Sequence, residues 1–221
     1  MIRPMSCSYL VDPQLADALR AAGIAAGSDL LDLQVGDKPL NVVTPCELPV
    51  AGTEGRFHLK RYVYRGWRRS LRMLGRGTFW GRAPEMSEFL ALRRLRELGV
   101  PAVRPVAAAA RTRFGLLDSH ALLTEHVPDA LDLAQRLATP EDPLNTDADL
   151  RAQVIGLLAR RVAAMHFRGF VHRDFFARNV LLRVGAQGPE LTFLDCRRGG
   201  PPTRGTTRST TSSASSMSRS C

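Results

Sequence analysis

In the stretch MHFRGFVHRDFFARNVLL, Met165 to Leu182, His172 and Arg173 precede Asp174, and Asn179 follows it after four intervening residues. An aspartate after a helical pattern is often only a cap or a turn former. Here an apolar, strand-like run begins directly after Asn179, so the carboxylate and the amide can face one cleft. Phosphoryl transfer from ATP needs such a set: a carboxylate at the acceptor hydroxyl, ligands for Mg²⁺, and a cation on the nucleotide phosphates. The rest of the chain offers the missing members. Asp195 ends the run LTFLD and can share a metal with Asn179, while Lys60 lies mid-run in FHLKRYVY, where it can grip phosphates. Glu88, on the next helical segment, can pair with Lys60 and fix its direction, with Glu85 on the same helix as the alternative partner. His172 is expected to be structural, its ring bonded to nearby backbone.

Several elements must position these residues. After Asp12-Pro13, PQLADALRAAGI reads as a short helix closed near Gly23. From Leu30 to Tyr64 the runs DLLDLQV, LNVVT and RFHLKRYVY are β-prone and separated by turn signals, which predicts a small antiparallel sheet. GWRRSLRML reads as a basic amphipathic helix and GRGTFWGRAP as a loop. The segment from Pro84 to Leu98 has helical periodicity with Phe89, Leu92 and Leu95 on one side, and Gly99 ends it. VRPVAAAA and GLLDSHALLTEHV return as strands, so one sheet around one helix is expected. Past Pro128 the pattern is helical. Its main element, DADLRAQVIGLLARRVAAMHFRG, carries a stripe of Leu150, Val154, Leu157, Leu158, Val162 and Met165. NVLLRV and LTFLD then form a hairpin.

The 221 residues suffice for a core without staples. Cys7, Cys46, Cys196 and Cys221 form no CxxC pair, which argues against a zinc site or a disulfide framework and for a reducing, cytoplasmic setting. No apolar run is long enough to span a bilayer. The net charge is +10, and from Arg56 to Arg82 there are nine Lys or Arg and no Asp or Glu. Such a segment, interleaved with Phe57, Tyr62, Tyr64, Trp67, Phe79 and Trp80, suits contact with anionic membrane headgroups or, as the weaker alternative, nucleic acid. A solvated arginine-rich face is the plainer reading. Residues 199–221 are low-complexity and rich in Ser, Thr and Arg, and are expected to be a disordered tail or an out-of-frame translation of GC-rich DNA.

From Gly55 to Arg198 the chain resembles the lipopolysaccharide core kinases, which phosphorylate Kdo or heptose within the protein-kinase-like superfamily. The likeness rests on LKRY, SEFLALRRLRELGVPAVRPV, MHFRGFVHRDFFARNVLL and FLDCRR. It implies an α+β, bilobal protein-kinase-like fold: a lead-in at 1–29, a small antiparallel-sheet N-lobe at 30–127, and a helical C-lobe at 128–198 that looks truncated. It also implies ATP and Mg²⁺ as cofactors, Asp174 as catalytic residue, Lys60 and Glu88 for the nucleotide, and Asn179 and Asp195 for the metal. The acceptor would be a lipid-linked or phosphorylated sugar, at the inner face of a membrane. Three departures stand out. Cys196-Arg197 follows Asp195 instead of Phe-Gly, Phe occupies position 176, and there is no Gly-x-Gly-x-x-Gly loop. The turn at Gly36 or the AGTEG hairpin is expected to cover the phosphates instead. A kinase of another small molecule or of protein, and an inactive basic binding remnant, are the alternatives.

Overall fold

Alternate alanines in one strand let helices pack on both faces of the principal sheet. A computed structural model of the chain describes residues 5–35, 43–64, 83–114 and 116–201. Strands β1 (Met5–Val11), β2 (Val43–Glu47), β3 (Arg56–Val63), β4 (Pro105–Arg113) and β5 (Leu116–Glu125) form an antiparallel sheet in the order β1-β4-β5-β3-β2. Along β4, Ala108 and Ala110 belong to one core and Ala107 and Ala109 to the other, with a register irregularity between Pro105 and Ala107. Side chains of a strand alternate between faces, and methyl-sized residues permit close approach on each.

Helices α1 (Ala16–Ala21) and α2 (Gly27–Asp32) cover one face through Leu19, Leu30 and Leu31. A Cβ at Gly27 would meet Cys7 Sγ at 2.8 Å and Ala109 Cβ at 3.3 Å, so α2 approaches the sheet as closely as glycine allows. DLLDLQV is therefore not a strand at its start. The Asp29 carboxylate accepts the Ala25 and Ala26 N–H groups at 2.9 and 2.8 Å and opens a helical turn there, and four apolar residues in a seven-residue stretch cannot by themselves decide between the two periods. The stretch 1–29, expected as a lead-in, supplies the edge strand β1, paired with β4 from Met5↔Arg113 to Val11↔Ala107.

The other face receives α3 (Pro84–Glu97), which has Pro at its start, Glu85 in its first turn and Arg94 and Arg96 in its last, and stops at Gly99 in the left-handed region (φ 66°). Phe89, Leu92 and Leu95 are buried there with residues of the following lobe: Met165, Phe170, Val180, Leu182 and Phe193. That lobe contains β6 (Leu131–Asp132), α4 (Leu133–Ala138), α5 (Pro143–Thr146), α6 (Ala148–Phe167), a 3₁₀ turn (Ala177–Asn179), β7 (Val180–Gly185) and β8 (Gly188–Phe193), with a second sheet in the order β6-β7-β8. Asp147 caps α6 by accepting the Asp149 and Leu150 N–H groups. The stripe expected on α6 is present: Leu150, Val154 and Met165 are buried, and Leu157, Leu158 and Val162 pack beside them.

The lobes are also joined through backbone. Phe193 donates to Pro101 O at 3.0 Å and Val103 donates to Phe193 O at 3.0 Å, so the segment that follows α3 runs alongside the end of β8. This is how residue 195 comes to lie near β3. No helix among the described residues is long and apolar enough to cross a membrane. The basic helix read at GWRRSLRML, the loop after it, the turn at Gly36 and most of the tail lie outside the described residues. Gly199 and Gly200, read as the start of that tail, instead belong to the folded part, since Gly200 bridges Val171.

Candidate active site

Lys60 sits in the middle of β3, opposite Val43 on one side and Leu122 on the other. Its Nζ donates to Glu88 Oε2 at 2.8 Å and to Asp195 Oδ1 at 3.0 Å. Three elements thus converge on one ammonium. Glu85 does not compete for Lys60. One turn earlier on α3, its carboxylate is in direct contact with His120 Nδ1, whose Nε2 shares a 2.7 Å hydrogen bond with the Tyr64 hydroxyl. Burial pushes the Glu88 carboxyl up to about 7 even with Lys60 drawing it down. Burial would lower Lys60 and raise Asp195, but their mutual attraction and the Glu88 and Arg197 charges prevail, so Lys60 is held above its ordinary value and Asp195 below. Arg197 Nε lies 3.3 Å from Asp195 Oδ1 and 4.0 Å from Glu88 Oε2, a second cation on the same two carboxylates.

Asp195 is fixed by its neighbours. His172 Nε2–H donates to Leu194 O at 2.9 Å, which is the structural role expected of that ring, and Leu194 N–H donates to Asn179 O at 2.8 Å. With Leu194 held through both its N–H and its carbonyl, the chain takes a left-handed conformation at Asp195 (φ 46°), of the kind that persists only where the surroundings over-determine it. Asn179, itself buried, donates its Nδ2 to Asp174 O at 2.8 Å, which leaves its Oδ1 as a side-chain acceptor for a cation. One backbone carbonyl therefore ties the spacing of Asp174 and Asn179 to a geometry.

The Asp174 carboxylate is held by Arg198, whose Nε lies 2.9 and 3.2 Å from its two oxygens and whose Nη2 also donates to Oδ1. Hydrogen bonding to this guanidinium keeps the carboxyl below its ordinary range. Arg198 stands on a braced strap. Arg173 donates to Arg198 O at 2.8 Å and to Pro201 O at 2.7 Å, and Gly200 and Val171 exchange backbone hydrogen bonds. The strap packs so tightly that a Cβ at Gly199 would lie 2.2 Å from Cys196 Sγ and 2.7 Å from the Phe170 ring. Gly199→Ala is expected to lower stability by about 1–3 kcal/mol through overpacking. A chemical denaturation midpoint equal to that of the wild type would contradict this.

A cavity of about 490 Å³ lies between the two sheets. Lys60, Glu88, Asn179, Asp195 and Arg197 contribute to its polar wall, and Val43, Val103, Leu122, Val127 and Leu181 to its apolar wall; Asp174 is not among its lining residues. Its size and its mixture of apolar surface with a few convergent charges suit a nucleotide. Among the described residues no group of three or more His, Cys, Asp or Glu could hold a metal. The donors present, one carboxylate and one amide oxygen, match Mg²⁺, which takes its remaining ligands from phosphates and water.

All five residues singled out from the sequence are thus near one another, with Asp174 beside the cavity and the other four lining it. Arg198 was missed, as was the pair of His58 Nε2 and His126 Nδ1, 2.9 Å apart in the cavity wall. Arg198 had a signal, two consecutive arginines just past the strand-end aspartate, with only Cys196 between. The histidines, 68 positions apart, had none. The AGTEG turn closes the β2–β3 hairpin and is not part of the cavity lining. The basic face expected from Arg56 onward is altered where it is described. Arg56 pairs with Glu54, Lys60 with Glu88 and Asp195, and Arg61 donates to Leu31 O and Leu33 O, while Phe57 is core.

A sequence profile described as the lipopolysaccharide kinase (Kdo/WaaP) family matches residues 51–221. A 3-deoxy-D-manno-octulosonic acid kinase of Haemophilus influenzae strain PittEE is 30% identical over 145 residues, covering 59% of this chain and 57% of the relative. The enzyme of the same name from Vibrio cholerae serotype O1 is 32% identical over 105 residues, or 48% and 41% of the two chains. The chain therefore spans only part of the length of these relatives. Among solved structures, WaaP in complex with acyl carrier protein superposes with a TM-score of 0.57 at 20% identity, over 88% of this chain and 73% of that one. This likeness supports the bilobal kinase-like fold.

Proposed function

The chain belongs to the lipopolysaccharide kinase (Kdo/WaaP) family, and from that premise we propose that it transfers the γ-phosphoryl group of ATP to a hydroxyl of a lipopolysaccharide inner-core sugar. The observation that carries the reading is the convergence of Lys60, Glu88, Asn179 and Asp195 on one cavity, with the Asp174 carboxylate just beyond it. The names of the curated relatives favour 3-deoxy-D-manno-octulosonic acid, a sugar that carries its own carboxylate, as the acceptor.

In this reading Lys60, aimed by Glu88, holds the nucleotide phosphates. Asn179 and Asp195 hold Mg²⁺, which when bound neutralises the charge of the transferring group. Asp174 accepts a hydrogen bond from the acceptor hydroxyl, orients it in line with the γ-phosphorus, and takes its proton as transfer proceeds. Glu88 is buried and fixes Lys60 in place, so the ammonium is preorganised at the cavity wall. With ATP in the cytoplasm and the acceptor linked to lipid, the reaction belongs at the cytoplasmic face of the membrane that holds the acceptor.

Incubation of the chain with γ-labelled Mg-ATP and lipid A bearing one such sugar is expected to label the sugar. ATP turnover unaffected by the acceptor, with no labelled glycolipid, would refute the reading.

A further inference from the structure

A second cavity, about 520 Å³, lies on another face of α3 from the one that presents Glu88. Ser87, Ala91 and Arg94 of α3 form one wall, the turn Arg168–Phe170 another, and the strap Arg197–Pro201 the third. Four arginines line it, Arg94, Arg168, Arg197 and Arg198, and no acidic residue does. Their existing contacts leave most of their donors unused, since each guanidinium has five. Arg94 has a 3.4 Å contact to Glu97 on its own helix, and Arg168 donates to the Leu98 carbonyl and has no carboxylate partner among the described residues. The segments 65–82 and 202–221 contain no Asp or Glu either, so no acidic side chain from them can neutralise the cavity. Arg197 also faces the nucleotide cavity, where it meets Asp195 and Glu88, and Arg198 meets Asp174, but no carboxylate lines this concave surface, so its four guanidinium groups favour an anion there.

Its position relative to Asp174 identifies which anion. Arg198 belongs to this cavity and also grips the Asp174 carboxylate, while its side chain is 69% exposed. An acceptor whose hydroxyl reaches Asp174 therefore has Arg198 and the arginine cavity directly beside it. Arg198 also occupies the carboxylate oxygens that the hydroxyl would need. Resting on the kinase reading above, we propose that the cavity binds the carboxylate of the acceptor sugar, and that this carboxylate draws Arg198 away from Asp174. The acceptor would thus release the group that activates it. A neutral hydroxyl compound or water leaves Arg198 on Asp174 and is a poor acceptor. Discrimination comes from an ion pair that only the right substrate replaces, at an end of the site that the nucleotide does not occupy.

The test uses the full chain with two probes, the methyl glycoside of 3-deoxy-D-manno-octulosonic acid and its carboxyl methyl ester, which differ only in the anion. Isothermal titration is expected to show the acid binding wild type about 10- to 100-fold more tightly than the ester, as one or two charge-assisted hydrogen bonds imply. In Arg198→Gln the two should bind within about threefold of each other, with Arg198→Lys intermediate. In transfer assays Arg198→Gln should phosphorylate the ester faster than wild type does, an outcome that mere structural damage would not produce. Equal binding of acid and ester to wild type would overturn the inference without recourse to any variant. Preferential, Arg198-dependent binding of the acid with no phosphoryl transfer to either sugar would instead support the cavity as the carboxylate site and overturn the kinase reading alone.

Discussion

Asp174→Asn is expected to lower turnover about a thousandfold while leaving the affinity for Mg-ATP at the wild-type level. The amide has the shape of the carboxylate but cannot take the hydroxyl proton. The nucleotide cavity should not notice the change, because Asp174 does not line it and because Asn179 is anchored to the backbone carbonyl of residue 174, which the substitution keeps. Stability should change by less than about 1 kcal/mol, since the partner Arg198 is mostly in water and is simply released to it. Steady-state kinetics with thermal shift in Mg-ATP separates the two effects. A variant with turnover within about tenfold of wild type would refute Asp174 as the catalytic carboxylate.

Lys60→Met should fail in a different way. Glu88 is 4% exposed and Asp195 29%, and without the ammonium between them only Arg197, at 4.0 and 3.3 Å, remains to offset two carboxylates. Removing one partner of a buried pair leaves an uncompensated charge, so a loss of about 3–5 kcal/mol in unfolding free energy is expected along with the loss of nucleotide binding. Glu88→Gln added to Lys60→Met should restore much of the stability, because a neutral amide tolerates burial where a carboxylate does not, but it should restore none of the turnover. Denaturant titration of the single and double variants, paired with phosphoryl-transfer assays, checks both parts. Recovery of activity in the double variant would show that Lys60 acts only as a structural counter-charge.

The two variants differ because the residues they alter are held differently. Lys60 and Glu88 form a largely buried pair with Asp195 beside it, and the three depend on one another, whereas Asp174 meets a guanidinium that is mostly in water. That contrast could not be read from spacing, although the residues could. His-Arg-Asp with Asn after four residues is a local pattern: a helix ends at Gly169, a turn follows and a strand begins, and side chains so close in sequence have few ways to be arranged. Lys60 was legible because a lysine at the centre of an apolar strand breaks the pattern of its element, and Glu88 gained weight from its place in the order, on the helix that follows.

The errors have physical causes as well. DLLDLQV has too few apolar residues to define a period, and α2 forms there because the Asp29 carboxylate satisfies two backbone donors and Gly27 lies against Cys7 and Ala109. The segment 1–29 reads as peripheral because β1 finds its partner in β4, about a hundred positions away, and nothing local announces such a pairing.

The sequence by itself determined the chemistry that is available, since an acid, an amide, a second acid, a lysine and a glutamate stand in an order and in elements that suit phosphoryl transfer. Only the tertiary structure decided which charges meet. It gave Lys60 to Glu88 and directed Glu85 to His120, brought Asp195 to β3 by running the end of β8 along residues 101–103, and set Arg198 on Asp174. Local spacing constrains side chains a few residues apart, whereas pairing between charges 24 to 135 positions apart depends on how strands register and lobes pack.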